Sequence, residues 1–158
     1  MVSEKDVKKK IFSTFADVAG SLGYSPLHGE IIGTLLVANK PLSLQELAKE
    51  TGYSSSMISL SLDLLEVLGV IKKIKKTADR KLYVQLHGDL LECLKRAIII
   101  KVEKSIEDSL TGFTANRKEL DSLSKEEREN LEKSMAVLEI QIKRLDMYIK
   151  LLSKISLP

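Results

Sequence analysis

Along most of the chain, apolar residues recur at spacings of three and four, the period of helices buried on one side. From Ser3, with Asp6 three residues on as its capping partner, Ile11, Phe12, Phe15, Val18, Ala19 and Leu22 share a face, and Gly23 ends the run. A second helix is predicted from Ser25-Pro26, with proline at the favoured first position, to about Ala38, before Asn39-Lys40-Pro41 breaks it. Gly29 and Gly33 lie inside that helix, four apart. An interior glycine destabilises a helix by about 1 kcal/mol relative to alanine, so the pair predicts close approach of another backbone.

A short third helix follows, capped by Ser43 with Glu46, buried through Leu44, Leu47 and Ala48, and closed by Gly52. Ser54 then caps a fourth, with Ile58, Leu62 and Leu65 inward and Gly69 at its end. Two helices joined by a tight glycine turn form a helix-turn-helix candidate. Next, Val70 to Lys76 and Lys81 to Leu86 flank the polar turn Thr77-Ala78-Asp79-Arg80. In the second arm Leu82, Val84 and Leu86 alternate with Lys81, Tyr83 and Gln85, which predicts a β-hairpin and is the strong strand signal of the sequence.

From Asp89, paired with Glu92, helical periodicity resumes through Leu90, Leu91, Leu94, Ala97 and Ile98 and is expected to end at Gly112. Ser124 and Glu127 open the last helix. In it Leu131, Met135, Leu138, Ile142, Leu145, Ile149 and Leu152 follow alternating spacings of four and three, a heptad seam expected to mediate dimerisation. Val137, Ile140, Met147 and Leu151 form a second apolar row, so contact is expected both with the chain's own helices and with another subunit.

The predicted fold class is mainly α with a small β-hairpin wing. A domain holding the helix-turn-helix candidate and the hairpin is expected over residues 1–88, and a helical dimerisation region over residues 89–158. The 158 residues, 44% hydrophobic and 30% charged, suffice for one domain or two small ones. A single cysteine, Cys93, excludes an internal disulfide framework and points to a reducing compartment. Apolar runs such as Ala97 to Ile100 are too short to span a bilayer, and Asp17 interrupts any leader-like core, so a soluble cytoplasmic protein without membrane contact is expected.

Net charge is only +3, but its distribution is uneven. Lys72, Lys73, Lys75, Lys76, Arg80 and Lys81 oppose Asp79 alone, giving the hairpin +5 and leaving the remaining chain at −2. Cations gathered on a projecting hairpin suit phosphate neutralisation, although the same pattern also serves to protect a solvated sheet edge. Beside a helix-turn-helix candidate, the phosphate-contacting account is preferred. The fourth helix offers Ser54, Ser55, Ser56, Met57, Ser59 and Leu60 as candidate DNA contacts, with Ser61 and Asp63 also among its outward positions. Hydroxyls can meet phosphates or base edges, and Met57 or Leu60 can touch a thymine methyl. Without Arg or Lys on this helix, direct sequence discrimination should be modest.

The order of three helices, basic hairpin and long helix resembles the winged helix-turn-helix of MarR-type transcriptional regulators. Gly52-Tyr53-Ser54, Ile58-Ser59, Leu62, Leu65 and Gly69-Val70-Ile71 look like that family's turn, recognition helix and exit into the wing, and Asp79-Arg80-Lys81 like its wing tip. Pro26-Leu27-His28-Gly29, Gly33, Pro41-Leu42-Ser43-Leu44, Glu46-Leu47-Ala48 and Ser59-Leu60-Ser61-Leu62 are similar to the GbsR-like branch. The resemblance covers roughly residues 20–110. It implies that Ser54 to Leu60 enter a major groove, that Arg80 and neighbouring lysines meet phosphates or the minor groove, and that the protein is a homodimer.

No nucleophile elbow, phosphate loop, zinc helix or dinucleotide fingerprint is present, so no enzymatic activity or cofactor is expected. His28, His87 and Cys93 are a poor set for a metal site, and none is assigned. Tyr24, Tyr53, Tyr83 and Tyr148 are read as packing residues instead of an effector pocket. The expected protein is a homodimeric repressor that binds double-stranded DNA, with room for an unidentified small-molecule effector. Two other classes stay open: a winged-helix protein adaptor that does not bind DNA, and a small-molecule or metal sensor.

Overall fold

A computed structural model describes all residues from Met1 to Pro158. The chain divides into two compact units, Met1–Leu94 and Lys95–Pro158, with the division falling inside a long helix.

The first unit contains α1 (Glu4–Ser21), α2 (Pro26–Ala38), β1 (Leu42–Ser43), α3 (Leu44–Thr51), α4 (Ser55–Val67), β2 (Ile71–Lys75), β3 (Leu82–Leu86) and the start of α5 (Leu90–Glu119). Local chemistry sets these boundaries. Ser3 and Asp6 cap each other's backbone groups at the start of α1, as Ser43 and Glu46 do at α3, and Pro26 sits in the first turn of α2. Asn39, in the left-handed region at φ 49°, closes α2. Gly52, at φ 77°, closes α3 by donating its N–H to the Ala48 carbonyl, which frees the chain to turn into α4.

Gly29 meets the expectation of close approach. A Cβ there would overlap the Phe15 carbonyl of α1, and one at Gly33 would press on the Phe12 ring at 3.3 Å. The core beneath consists of Leu27, Ile31, Leu35, Leu47, Ile58, Leu62, Leu65, Ile71 and Val84. The hairpin strands pair antiparallel, with Lys73 opposite Val84 and Ile74 opposite Tyr83. β1, which periodicity did not reveal, adds a third strand through Leu42 opposite Val84 and Ser43 opposite Tyr83. Two residues are too short to show alternation, and Ser43 serves at once as a strand residue and as the cap of α3.

The second unit holds the remainder of α5, a 3-10 turn (Leu120–Ser122) and α6 (Lys125–Ser153), again opened by a reciprocal cap between Ser124 and Glu127. Helix α5 passes through Gly112 without stopping. Gly112 keeps an ordinary helical backbone there, and the Thr114 hydroxyl bonds the Leu110 carbonyl across it. The helices run antiparallel, with Arg117 paired to Glu139 near one end and Lys95 Nζ donating to the Ile155 carbonyl at 2.6 Å near the other. Ile99, Ile106 and Ile149 form the buried centre, flanked by Val102, Leu110, Ile142 and Leu152. No helix is long and apolar enough to cross a membrane.

Candidate nucleic-acid interface

The first six candidate residues cluster at the N-terminal half of α4, and all of them are exposed. Inward anchoring by Ile58 and Leu62, both fully buried, turns Ser55, Ser56, Ser59 and Leu60 outward. Leu60 is 74% exposed and Met57 49%, so the surface is a mixture of hydroxyls and aliphatic tips. Ser54 has a local task. Its hydroxyl accepts the Met57 N–H at 3.3 Å and lies 3.1 Å from the Ser56 hydroxyl. Ser61 is buried, contrary to its expected outward position.

The wing divides its cations by role. Lys72, Lys75, Lys76, Arg80 and Lys81 are exposed. Lys73, grouped with them as a phosphate contact in the sequence, folds back onto α4: its Nζ lies 2.6 Å from Asp63 Oδ1 and 3.0 Å from Glu66 Oε2. Hydrogen bonding to Asp63 and then Glu66 raises the Lys73 pKa above the ordinary lysine value. Nothing local in the sequence marks these partners, because Asp63 is ten residues from Lys73 and on another element. The available hint was that α4, the element before the hairpin, carries two acids and no cation.

At the tip, Asp79 organises the turn. Its carboxylate accepts the Tyr83 hydroxyl at 2.7 Å and the Lys81 backbone N–H at 3.1 Å. Those two bonds, the Tyr83 one first, hold the Asp79 carboxyl below the usual aspartate range, while the same bond to Asp79 raises the Tyr83 phenol. Lys76 Nζ sits 4.0 Å from the centre of the Tyr83 ring, a cation–π contact that fixes a positive charge at the base of the tip. Arg80 occupies the left-handed region at φ 53°, which projects it from the turn. Tyr83, read from sequence as packing, is thus a support for the wing's cations.

Of the seam residues, Ile149 is 5% exposed and packs with Ile142 and Leu152 against α5 of the same chain. Met135 is half-buried, whereas Leu131, Leu138 and Leu145 are exposed, as are Val137, Ile140, Met147 and Leu151 of the second row. Cys93 is buried, and no group of three or more His, Cys, Asp or Glu side chains is placed to hold a metal ion. A cleft of about 210 Å³ lies among Leu35, Leu36, Asn39, Lys40, Pro41, Gln85 and Leu86. Small-molecule sites usually enclose roughly 300 Å³ or more.

No family model matches the sequence, and no curated protein matches it either. Among solved structures, the crystal structure of a transcriptional regulator superposes with a TM-score of 0.57 at 19% identity, covering 94% of this chain and 99% of that one. Two others are similar: a MepR variant of S. aureus bound to an oligodeoxyribonucleotide (TM-score 0.44, 16% identity, 86% and 92% covered) and apo MarR of E. coli (0.43, 16%, 84% and 91%). At 19% identity the first likeness speaks to fold alone, and the fold is a winged helix-turn-helix followed by a C-terminal helical pair.

Proposed function

We propose that the protein is a homodimeric, DNA-binding transcriptional regulator of the MarR type, acting in the cytoplasm as a repressor by covering promoter DNA. The observation that carries this reading is the placement, within one unit, of five exposed wing cations and the exposed N-terminal half of α4. Ser55, Ser56, Met57, Ser59 and Leu60 enter the major groove, while Lys72, Lys75, Lys76, Arg80 and Lys81 neutralise flanking phosphates. The shared fold with a transcriptional regulator supports the same reading. The segments Pro26-Leu27-His28-Gly29 and Pro41-Leu42-Ser43-Leu44 favour the GbsR-like branch.

Two copies joined through the exposed apolar rows of α6 would present two α4 helices to successive major grooves, about 34 Å apart. A small-molecule effector would act by favouring a dimer geometry with another separation.

A filter-binding titration against a random duplex pool tests the proposal. Affinity should fall steeply between low and moderate salt, and Lys75→Ala or Arg80→Asn should each lower the slope of log affinity against log salt by about 0.9, one phosphate contact. Asparagine suits Arg80 because it tolerates the left-handed backbone while removing the charge. Absence of duplex binding at low salt would sink the reading. It would also favour a protein adaptor, the second reading, which draws support from Leu60 and from Val67, 72% exposed, on a helix without cations.

A further inference from the structure

Asp63 and Glu66 are the acidic residues of α4. Ser56, Ser59, Asp63 and Glu66 follow one another at spacings of three, four and three, so they make a single stripe along the helix. A duplex that meets Ser56 and Ser59 therefore runs its phosphates toward two carboxylates. On the wet rim of a groove, a carboxylate a few ångströms from a phosphate opposes binding by about fivefold. The stripe as written in sequence is hydroxyl at one end and repulsive at the other.

The wing corrects this. Lys73 reaches from β2 to both carboxylates, at 2.6 Å and 3.0 Å, and its side chain is only 23% exposed while those of its partners are 67% and 49%. Resting on the duplex-binding reading, we propose that Lys73 is a positioning residue: it neutralises the C-terminal half of the recognition stripe and ties the wing to α4, leaving phosphate contact to the other five cations. Two of the three N–H donors of Lys73 are directed at the acids, and a phosphate drawn to the third would lie beside both carboxylates. If it left them, the gain of one contact would expose two repulsive charges.

The roles separate in a double-mutant cycle read by duplex affinity at low salt. Lys73→Met should weaken binding on the order of tenfold, more than Lys75→Ala, because two carboxylates are released. Adding Asp63→Asn and Glu66→Gln should return affinity to within about threefold of wild type, and in that acid-free background Lys73→Met should cost little, whereas a lost phosphate contact would cost as much there as in the wild-type background. Lys73→Arg, which can hold both acids, should bind nearly as wild type. Equal losses from Lys73→Met with and without the two acids, or no loss, would overturn the proposal. Wild-type protein that binds no duplex would instead overturn the parent reading. The tether is then read without DNA: amide exchange across Ile71–Lys75 should quicken in Lys73→Met but not in Lys73→Arg, and unchanged exchange rejects it.

Discussion

At the scale of single residues, Gly29 shows how a local weakness secures a global contact. Its missing side chain lets the α1 backbone at Phe15 lie against α2 where any Cβ would overlap the Phe15 carbonyl. Gly29→Ala should therefore destabilise the protein by about 3 kcal/mol or more, because the obstruction is backbone and cannot swing aside. At Gly33 the nearest obstacle is the edge of the Phe12 ring, so Gly33→Ala should cost about 1 kcal/mol, the scale of mild overpacking. Urea unfolding of both variants checks the order, and equal losses would contradict the account. Tyr83 is a second case. Its bond holds the Asp79 carboxylate below the usual range, so the tether is complete above the ordinary aspartate pKa and is lost as pH falls through the lowered folded value. On the alkaline side the raised Tyr83 phenol keeps the bond until pH passes that raised value. Tyr83→Phe should move the Asp79 titration midpoint upward when followed by carbon NMR. A midpoint that stays in place would remove Tyr83 from the wing's support.

At the scale of elements, legibility followed the reach of the interactions. Caps, the close glycines and the alternating arm of the hairpin are settled within a few residues, and Ser3, Ser43, Ser54 and Ser124 each cap the helix expected of them. What escapes the sequence is set at a distance: β1 exists because Leu42 and Ser43 pair with Val84 and Tyr83 some forty residues on, and Lys73 pairs with two acids that lie on another element. Gly112 misled for the opposite reason. Glycine favours helix ends, but here the surrounding residues keep propagating the helix and α5 continues to Glu119. Its position has open space for a Cβ and a helical backbone, so Gly112→Ala should stabilise the second unit by about 0.5–1 kcal/mol. A lowered melting temperature would mean that something unseen packs on that glycine.

At the scale of the molecule, the question is what covers α6. Its 29 residues span about 43 Å at 1.5 Å each, and only part of its apolar surface meets α5. Ile142, Ile149 and Leu152 belong to that internal contact, which separates the heptad seam into residues already used and residues still exposed. Leu138 and Leu145 are among the latter, Met147 and Leu151 of the second row are exposed beside them, and a self-associating surface should be drawn from the two sets. Met147→Glu with Leu151→Glu should then yield a folded monomer in sedimentation, whereas Ile149→Glu, which buries a charge, should unfold the second unit. In the proposed dimer, losing the partner also loses the second α4. Since linking two sites commonly raises affinity about 10²–10⁴-fold, duplex binding by the monomer should weaken by at least the lower figure, far beyond the loss of one wing lysine. A variant that stays dimeric places the interface elsewhere. One that becomes monomeric yet binds DNA undiminished shows that a single winged helix, with its five cations, suffices.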